Sequence, residues 1–496
     1  MNMTAEIQFF MHFLIPLFVF LVIFIVYTFI KQAWFADRSQ SKKIDQGQSK
    51  TRTKTIQPLK KQHKIFEDDI DQPDLSIHKI FDINPPQSTK EIESTFINRE
   101  KELPSDIQRF DNNFHSNKIN VIYGLSRAGK SHYMKNLLIQ LEKEQLEKKG
   151  RHFWMKYINA NSKETVRYIL HTIFRSLKQG LNLCASSNNI ESLPEIKFIQ
   201  LLLNDMNSLI EEHGQKQIEP IRTKSFFLEN RSHLSLLSDL PDFIKASIES
   251  LVHQKDFFFY KPSNTEIIEL IKFQAKYLVH ISQNKYRSVL LAIDDVDLLY
   301  LTEKNRSEVN SLYQYLSELS VSNSINILIT TRQDFAPDRG KEFEYFREIL
   351  PLTKTDCKLI YQKRIELYNH NQEVFTPEAL EYLVDCAENS PGIFLNFCKK
   401  IFRQASPPLS REGINKALDQ IVEGYLDPKS ELCGYVEAIK SEVLKHENNN
   451  PSITVNLPES VSNTRLIFFL ITPTMRPGEY EINRLIKDYF ESQGKS

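Results

Sequence analysis

The most specific chemistry in this chain belongs to eight consecutive residues, Gly124-Leu125-Ser126-Arg127-Ala128-Gly129-Lys130-Ser131, a complete G-x-x-x-x-G-K-S match. Gly124 and Gly129 let the backbone turn its N–H groups inward around a phosphate, where a Cβ would obstruct. Lys130 can neutralise β- and γ-phosphate oxygens as a point charge, and the Ser131 hydroxyl is a ligand for Mg2+. The surroundings suit that use. Ile119 to Tyr123 is a short β-branched run fit for a buried strand. Met134, Leu137, Leu138 and Leu141 then recur at helical spacing, and Gly150 stands where the helix can end. The positive end of that helix points at the same anion. The bland alternative is a glycine turn ahead of an ordinary helix.

A phosphate-bound cation needs an acid on a neighbouring strand. Val289 to Asp297, VLLAIDDVD, supplies one: a buried apolar run with carboxylates at its C-terminal end, where open α/β sheets bind ligands. Asp294 is expected to hold Mg2+, directly or through water. Asp295 is expected to orient or deprotonate the attacking water, and Asp297 to cap or assist the next segment. A buried strand ending at a helix-capping acid is the alternative meaning. Ile325 to Arg332, INILITTR, repeats the pattern, with Thr330 or Thr331 placed to hold the lytic water and Arg332 to sense the γ-phosphate. Strand-end polar residues at the surface are the alternative there. His152 to Ala160 reads as a further strand, followed by a helix from Lys163 to Leu177. The β–α–β–α order predicts an α/β fold with a parallel sheet between Ile119 and Leu352.

The elements around this core are read from composition. In 496 residues, 63 Lys and Arg balance 63 Asp and Glu, which excludes a histone-like coat protein. Five cysteines with no C-x-x-C pair argue against a zinc ribbon or disulfide framework, and the histidines show no metal-ligand spacing. After a short segment at 1–8, residues 9–30 carry no charged side chain and are long enough for one transmembrane helix. The long apolar run and the absence of a preceding Lys or Arg disfavour a cleaved signal peptide. Residues 31–64 hold ten Lys and Arg against two acids, which places the following chain on the cytosolic side, as in a bacterial inner membrane. Residues 31–80 read as a basic, polar tether near anionic lipid, with a nucleic-acid-binding arm as the alternative. An insertion at about 190–260 looks helical. Its run Phe257, Phe258, Phe259 and Tyr260 reads as core filling ahead of a base-stacking platform. In the tail, helices are expected at Gly413–Tyr425 and Glu431–Leu444, a strand-like stretch at Arg465–Thr472 and a helix at Tyr480–Tyr489.

Taken together, these residues resemble the P-loop ATPases of the AAA+ and STAND groups, nearest to members with a replication-initiator type core. Phe96-Ile97-Asn98-Arg99-Glu100-Lys101-Glu102-Leu103 is similar to the F-x-G-R-E-x-E-L box of that family, with Asn98 in place of Gly. The paired aspartates and the T-T-R ending favour the STAND side. The resemblance implies an ATP·Mg2+ site made by Gly124 to Ser131 and His132, with Arg99 at the adenine pocket. It also implies catalytic roles for Lys130, Asp295 and Arg332. A P-loop core at 81–352, a helical lid at 353–409 and a small, mostly helical, winged-helix-like region at 410–496 follow from it. The lid helix at Ser390-Pro391-Gly392-Ile393 departs from the G-N-P-R of relatives, with Ile393 where they carry arginine, so a nearby cation such as Arg403 is a candidate substitute. Arg347 stands where ring-forming relatives have an arginine finger, and a surface arginine fits equally. The implied function is a membrane-anchored ATPase, slow or stimulated by a protein partner or self-association, that switches conformation in signalling or phage defence. The rivals are a DNA-binding initiator or remodeller and a nucleotide-gated scaffold without turnover.

Overall fold

The computed structural model describes residues 89–494 apart from 98–101, 113–117, 148–151, 161–164, 212–215, 235–237, 253–257, 302, 334–335, 338–341, 368–372, 389, 406, 447–451, 459, 462–465, 468, 475 and 477. The expected membrane span at 9–30, the 31–80 tether and Arg99 therefore lie outside the described residues. Among those described, no helix is long and apolar enough to cross a membrane.

The chain opens with α1 (Thr89–Ser94) and α2 (Leu103–Asn112), then β1 (Ile119–Gly124), α3 (Lys130–Glu147), β2 (His152–Asn159) and α4 (Val166–Ser187). Next come α5 (Pro194–Glu211), β3 (Gln217–Ile218), α6 (Ile221–Asn230), α7 (Asp242–Val252) and β4 (Phe259–Tyr260). The chain returns to the main sheet through α8 (Asn264–Ile281), β5 (Tyr286–Asp294), α9 (Glu303–Ser320), β6 (Ile325–Arg332) and β7 (Phe343–Ile349). The five long strands form one sheet in the order β2-β5-β6-β1-β7, and every pairing is parallel.

Burial on both faces explains the unbroken apolar runs of these strands. Val289, Leu291 and Ile293 point into the layer built from α4, α5 and α8, while Leu290 and Ala292 point into the layer built from α2 and α3. Ile327 and Ile329 oppose Leu328 in the same way. Helix α4 runs ten residues beyond the expected Leu177, because Leu181, Cys184 and Ala185 continue its buried stripe. Gly180 interrupts that stripe for a steric reason. A Cβ there would lie 2.6 Å from the Trp154 ring. Helix α8 is fixed at its start by a reciprocal capping box between Ser263 and Glu266. In the aromatic run, Phe259 is core and Tyr260 is exposed.

After β7 come α10 (Lys354–Leu367), α11 (Pro377–Cys386), α12 (Pro391–Phe402), α13 (Arg411–Leu426) and α14 (Cys433–Lys445). The chain ends with β8 (Thr454–Asn456), β9 (Ile471–Pro473), β10 (Glu479–Ile482) and α15 (Arg484–Gly494). Thr376 caps α11 with its hydroxyl and Pro377 occupies the first turn, as the sequence predicts. The final helix begins later than expected. Glu479 to Ile482 alternates half-buried and buried positions and is strand β10, paired with both β8 and β9 in an antiparallel sheet. Between β8 and β9 the described residues include a short 3-10 turn at Ser460 and Val461. The lid helices α10–α12 and this C-terminal region share a single apolar interior: Phe397 of α12 meets Phe469 edge-on, with ring centroids 6.1 Å apart.

Candidate functional site

The G-x-x-x-x-G-K-S loop joins β1 to α3 at the C-terminal edge of the sheet. Gly124 adopts φ +153° there, and a Cβ on it would stand 2.3 Å from the Ile349 carbonyl oxygen at the end of β7. No other residue fits that close approach. Gly129 (φ +94°) supplies the second turn. The Lys130 ammonium curls onto the loop itself, donating to the Leu125 carbonyl at 2.9 Å and the Gly124 carbonyl at 3.3 Å. Burial holds Lys130 below the ordinary lysine value, against the pull of Asp297 and Asp295.

Above the loop lies a cavity of about 1070 Å³, counting the space at its open mouth. One end is charged and receives Arg127, Lys130, Ser131, Asp295, Asp297 and Arg332; the other is apolar and is lined by Phe96, Ile97, Leu352, Ile360 and Leu395. Ser126, Gly129 and His132 also reach its wall, whereas Gly124, Leu125, Ala128 and Asp294 do not. Leu125 turns outward, and Ala128 packs into the core below the loop.

Asp294, expected to hold the metal, is fully buried. It accepts a hydrogen bond from the Tyr157 hydroxyl at 2.6 Å on one oxygen and one from the Thr330 hydroxyl on the other. Asp295, expected to manage the water, stands beside the loop, and the Ser131 hydroxyl donates to its Oδ1 at 3.4 Å. Asp295 has a left-handed backbone (φ +57°), and its N–H donates to Thr330 Oγ1 at 2.8 Å. Thr330 is thus occupied as a strut between the two acids. Burial first, then the like charges of Asp294 and Asp297, push the Asp295 carboxyl up to about 8.

Arg332 does not reach freely toward a ligand. Its Nε donates to Asp297 Oδ2 at 2.9 Å, its main-chain N–H to Asp297 Oδ1 at 3.2 Å, and its Nη1 to the Pro473 carbonyl of β9 at 3.1 Å. Arg347, weighed as an arginine finger or a surface arginine, has its guanidinium on the buried Asp106 of α2, which the Tyr133 hydroxyl contacts as well. His132 donates through Nε2 to the Ile92 carbonyl at 2.7 Å and meets Phe96 edge-on, so it supports the apolar end of the cavity. Arg403 ends α12 and is not among the cavity residues. The cation that the lid does bring is Arg364 of α10, 4% exposed and one helical turn beyond Ile360 on the same wall. That i, i+4 pair reads in sequence as the edge of an ordinary amphipathic helix, so nothing there announced a ligand. Tyr157 was missed for a similar reason, as one more large residue on the buried face of β2.

The donor set fits a Mg2+-bound phosphate chain. One hydroxyl and one carboxylate are hard oxygen ligands, and the cation takes its remaining positions from phosphate and water. Among the described residues, no group of three or more His, Cys, Asp or Glu could hold a metal without such help. The glycine turns supply a cradle that a side chain would fill. The parallel sheet, the loop between β1 and α3 and the helical cover are those of a P-loop nucleotide-binding fold.

No family model matches the chain, and no curated protein matches it. Among solved structures, it is similar to the Aeropyrum pernix ORC1 protein in complex with DNA, at 12% identity over 84% of this chain and 96% of that one, with a TM-score of 0.39. It is also similar to the Aeropyrum pernix ORC2 protein in ADPNP–ADP complexes, at 12% identity over 84% and 98% of the two chains, with a TM-score of 0.35.

Proposed function

We propose that the chain binds ATP with Mg2+ and works as a nucleotide-gated conformational switch. One observation carries this reading: a single cavity joins a phosphate cradle, a Ser131–Asp295 oxygen pair and an apolar end, under a lid that contributes Gly392 and Arg364. Lys130 would exchange the Leu125 and Gly124 carbonyls for phosphate oxygens. Ser131 and Asp295 would hold the cation, and Phe96, Ile97 and Leu352 would shield the base from water. The bound cation would draw charge from the terminal phosphate. Titration calorimetry on the full chain should show heat with ATP·Mg2+ that Lys130→Ala removes. Absence of heat in the wild-type protein would overturn the reading.

Turnover is expected to be slow, because each of the three acids already has a task. Asp294 is closed off by two hydroxyls, Asp295 faces Ser131, and Asp297 is paired with Arg332. None is left to polarise a water without a rearrangement, which favours a switch driven by occupancy over one driven by hydrolysis. Phosphate release with ATP in excess over the protein tests this: steady release at about 1 per second or faster, within the ordinary enzyme range, would contradict it. The charge of the C-terminal region weighs against the DNA-binding rival. Residues 410–496 hold 10 Lys and Arg against 13 Asp and Glu, the wrong sign for a phosphate backbone. Residues 9–30 are proposed to anchor the switch in a bilayer with the nucleotide site on the cytosolic side. Alkaline carbonate extraction, which strips peripheral proteins only, checks the anchoring, and protease protection in sealed spheroplasts checks the side.

A further inference from the structure

Arg127 holds a conformation that arginine ordinarily avoids. Its φ is +58°, in the left-handed region that a glycine would adopt without strain, yet the loop carries a long cationic side chain there. That side chain lines the cavity together with Asp295, Asp297 and Lys130, and both carboxylates favour its charged form as they do that of Lys130. Its alkyl part is covered by the first turn of α12. A Cβ added to Gly392 would lie 2.8 Å from Arg127 Cβ, 2.9 Å from Cδ and 3.2 Å from Cγ. The Ser390 hydroxyl donates to the Arg127 carbonyl at 3.5 Å, so the main chain is seated on the lid as well. The next residue of α12 is Ile393, and its first turn holds no charged residue. The lid helix therefore contributes no cation of its own at this spot; it lies on one supplied by the loop.

We propose that Arg127 is the residue that reads the terminal phosphate and holds the lid against it, so that the site prefers a triphosphate over a diphosphate through a cation carried inside the phosphate loop. This inference rests on the nucleotide reading above. Of the acids that share its cavity, Asp297 is paired with Arg332 and Asp295 accepts from Ser131, so an incoming phosphate oxygen is the better partner for the guanidinium. Gly392 is the position that lets the lid follow, because any larger residue would meet the Arg127 stem. A purely structural Arg127, present only to balance the acids, would affect both nucleotides alike.

The test is calorimetry on the full chain with ATP·Mg2+ and ADP·Mg2+, using the wild type, Arg127→Gly, Arg127→Lys, Gly392→Ala and the Arg127→Gly/Gly392→Ala pair. Arg127→Gly suits the backbone, so its melting temperature should match or exceed that of the wild type. Its ATP affinity should fall about tenfold or more while its ADP affinity moves less than about threefold, the difference made by one charge-assisted contact. Arg127→Lys should restore part of the preference. Gly392→Ala should weaken ATP binding in the wild type and add no further loss once Arg127 is Gly, because the clash has gone. An unchanged ATP-to-ADP ratio in Arg127→Gly, or losses that simply add in the double variant, overturns the inference. If wild-type protein binds neither nucleotide, the nucleotide reading itself fails, and the two failures are told apart in the first titration.

Discussion

Asp295 is the residue with the sharpest consequence. Its carboxyl is raised from the ordinary 3.8 to about 8 by burial and by two like charges, so the folded protein without ligand retains a proton there near neutrality. The sign follows from linkage. A carboxyl raised in the folded state contributes most to stability below its unfolded value, and that contribution is lost as pH climbs through the folded one. The nucleotide-free protein should therefore lose stability between about pH 4 and 8 through this group, and Asp295→Asn should melt higher than the wild type at pH 8. Cation binding requires the ionised form, so ATP·Mg2+ should release up to one proton per site at pH 7. Calorimetry in buffers of differing ionisation heat measures that number, and proton uptake would contradict it. Gly124 makes a second prediction. Gly124→Ala places a methyl against the Ile349 carbonyl and should cost about 3 kcal/mol or more in urea unfolding. At this scale the sequence was a good guide to which residues gather and a poor one to which hydrogen bonds each makes. Spacing placed Asp294, Asp295 and the loop together. It could not show that Asp295 has a left-handed backbone, and that torsion decides which acid meets Ser131.

Among the elements, the contact between β6 and β9 through Arg332 carries the next prediction. Arg332 and Asp297 are 7% and 4% exposed, so removing one partner strands a buried charge. Arg332→Ala should cost about 3–5 kcal/mol in chemical unfolding, whereas Arg332→Met with Asp297→Leu should recover much of that loss. Equal destabilisation by the single and double variants would contradict this account. The long parallel strands were legible because their apolar runs are continuous and end in polar residues, and α11 was legible from Thr376 and Pro377. The short β10 was not. Its four residues alternate in burial, but the apolar positions continuing through Leu485, Ile486 and Tyr489 suggested that a helix started sooner. The parts of the lid were readable individually, but the face that α12 turns toward Arg127 depends on a tertiary approach that no local pattern encodes.

At the scale of the whole molecule, the sequence-based boundary near residue 409 does not divide two interiors. Leu383, Phe397 and Ile401 of the lid belong to the same apolar cluster as Ile439, Phe469 and Ile486. Periodicity reveals that a helix has a buried face but not which element buries it, so lid and tail read as neighbours when they are one body. A fragment of residues 410–496 is accordingly expected to remain unfolded by circular dichroism. A chain ending at 409 should lose the lid and bind hydrophobic dye. Independent, cooperative melting of the short fragment would contradict the first expectation, and absence of dye binding by the shortened chain the second. Because this interior is continuous, anything that tilts α12 must carry β8, β9, β10 and α15 with it. The C-terminal sheet is also moored at one point, since Arg332 holds the Pro473 carbonyl of β9 and lines the cavity as well, so a tilt of α12 would load that mooring and make the state of the site felt by a partner bound on the C-terminal sheet.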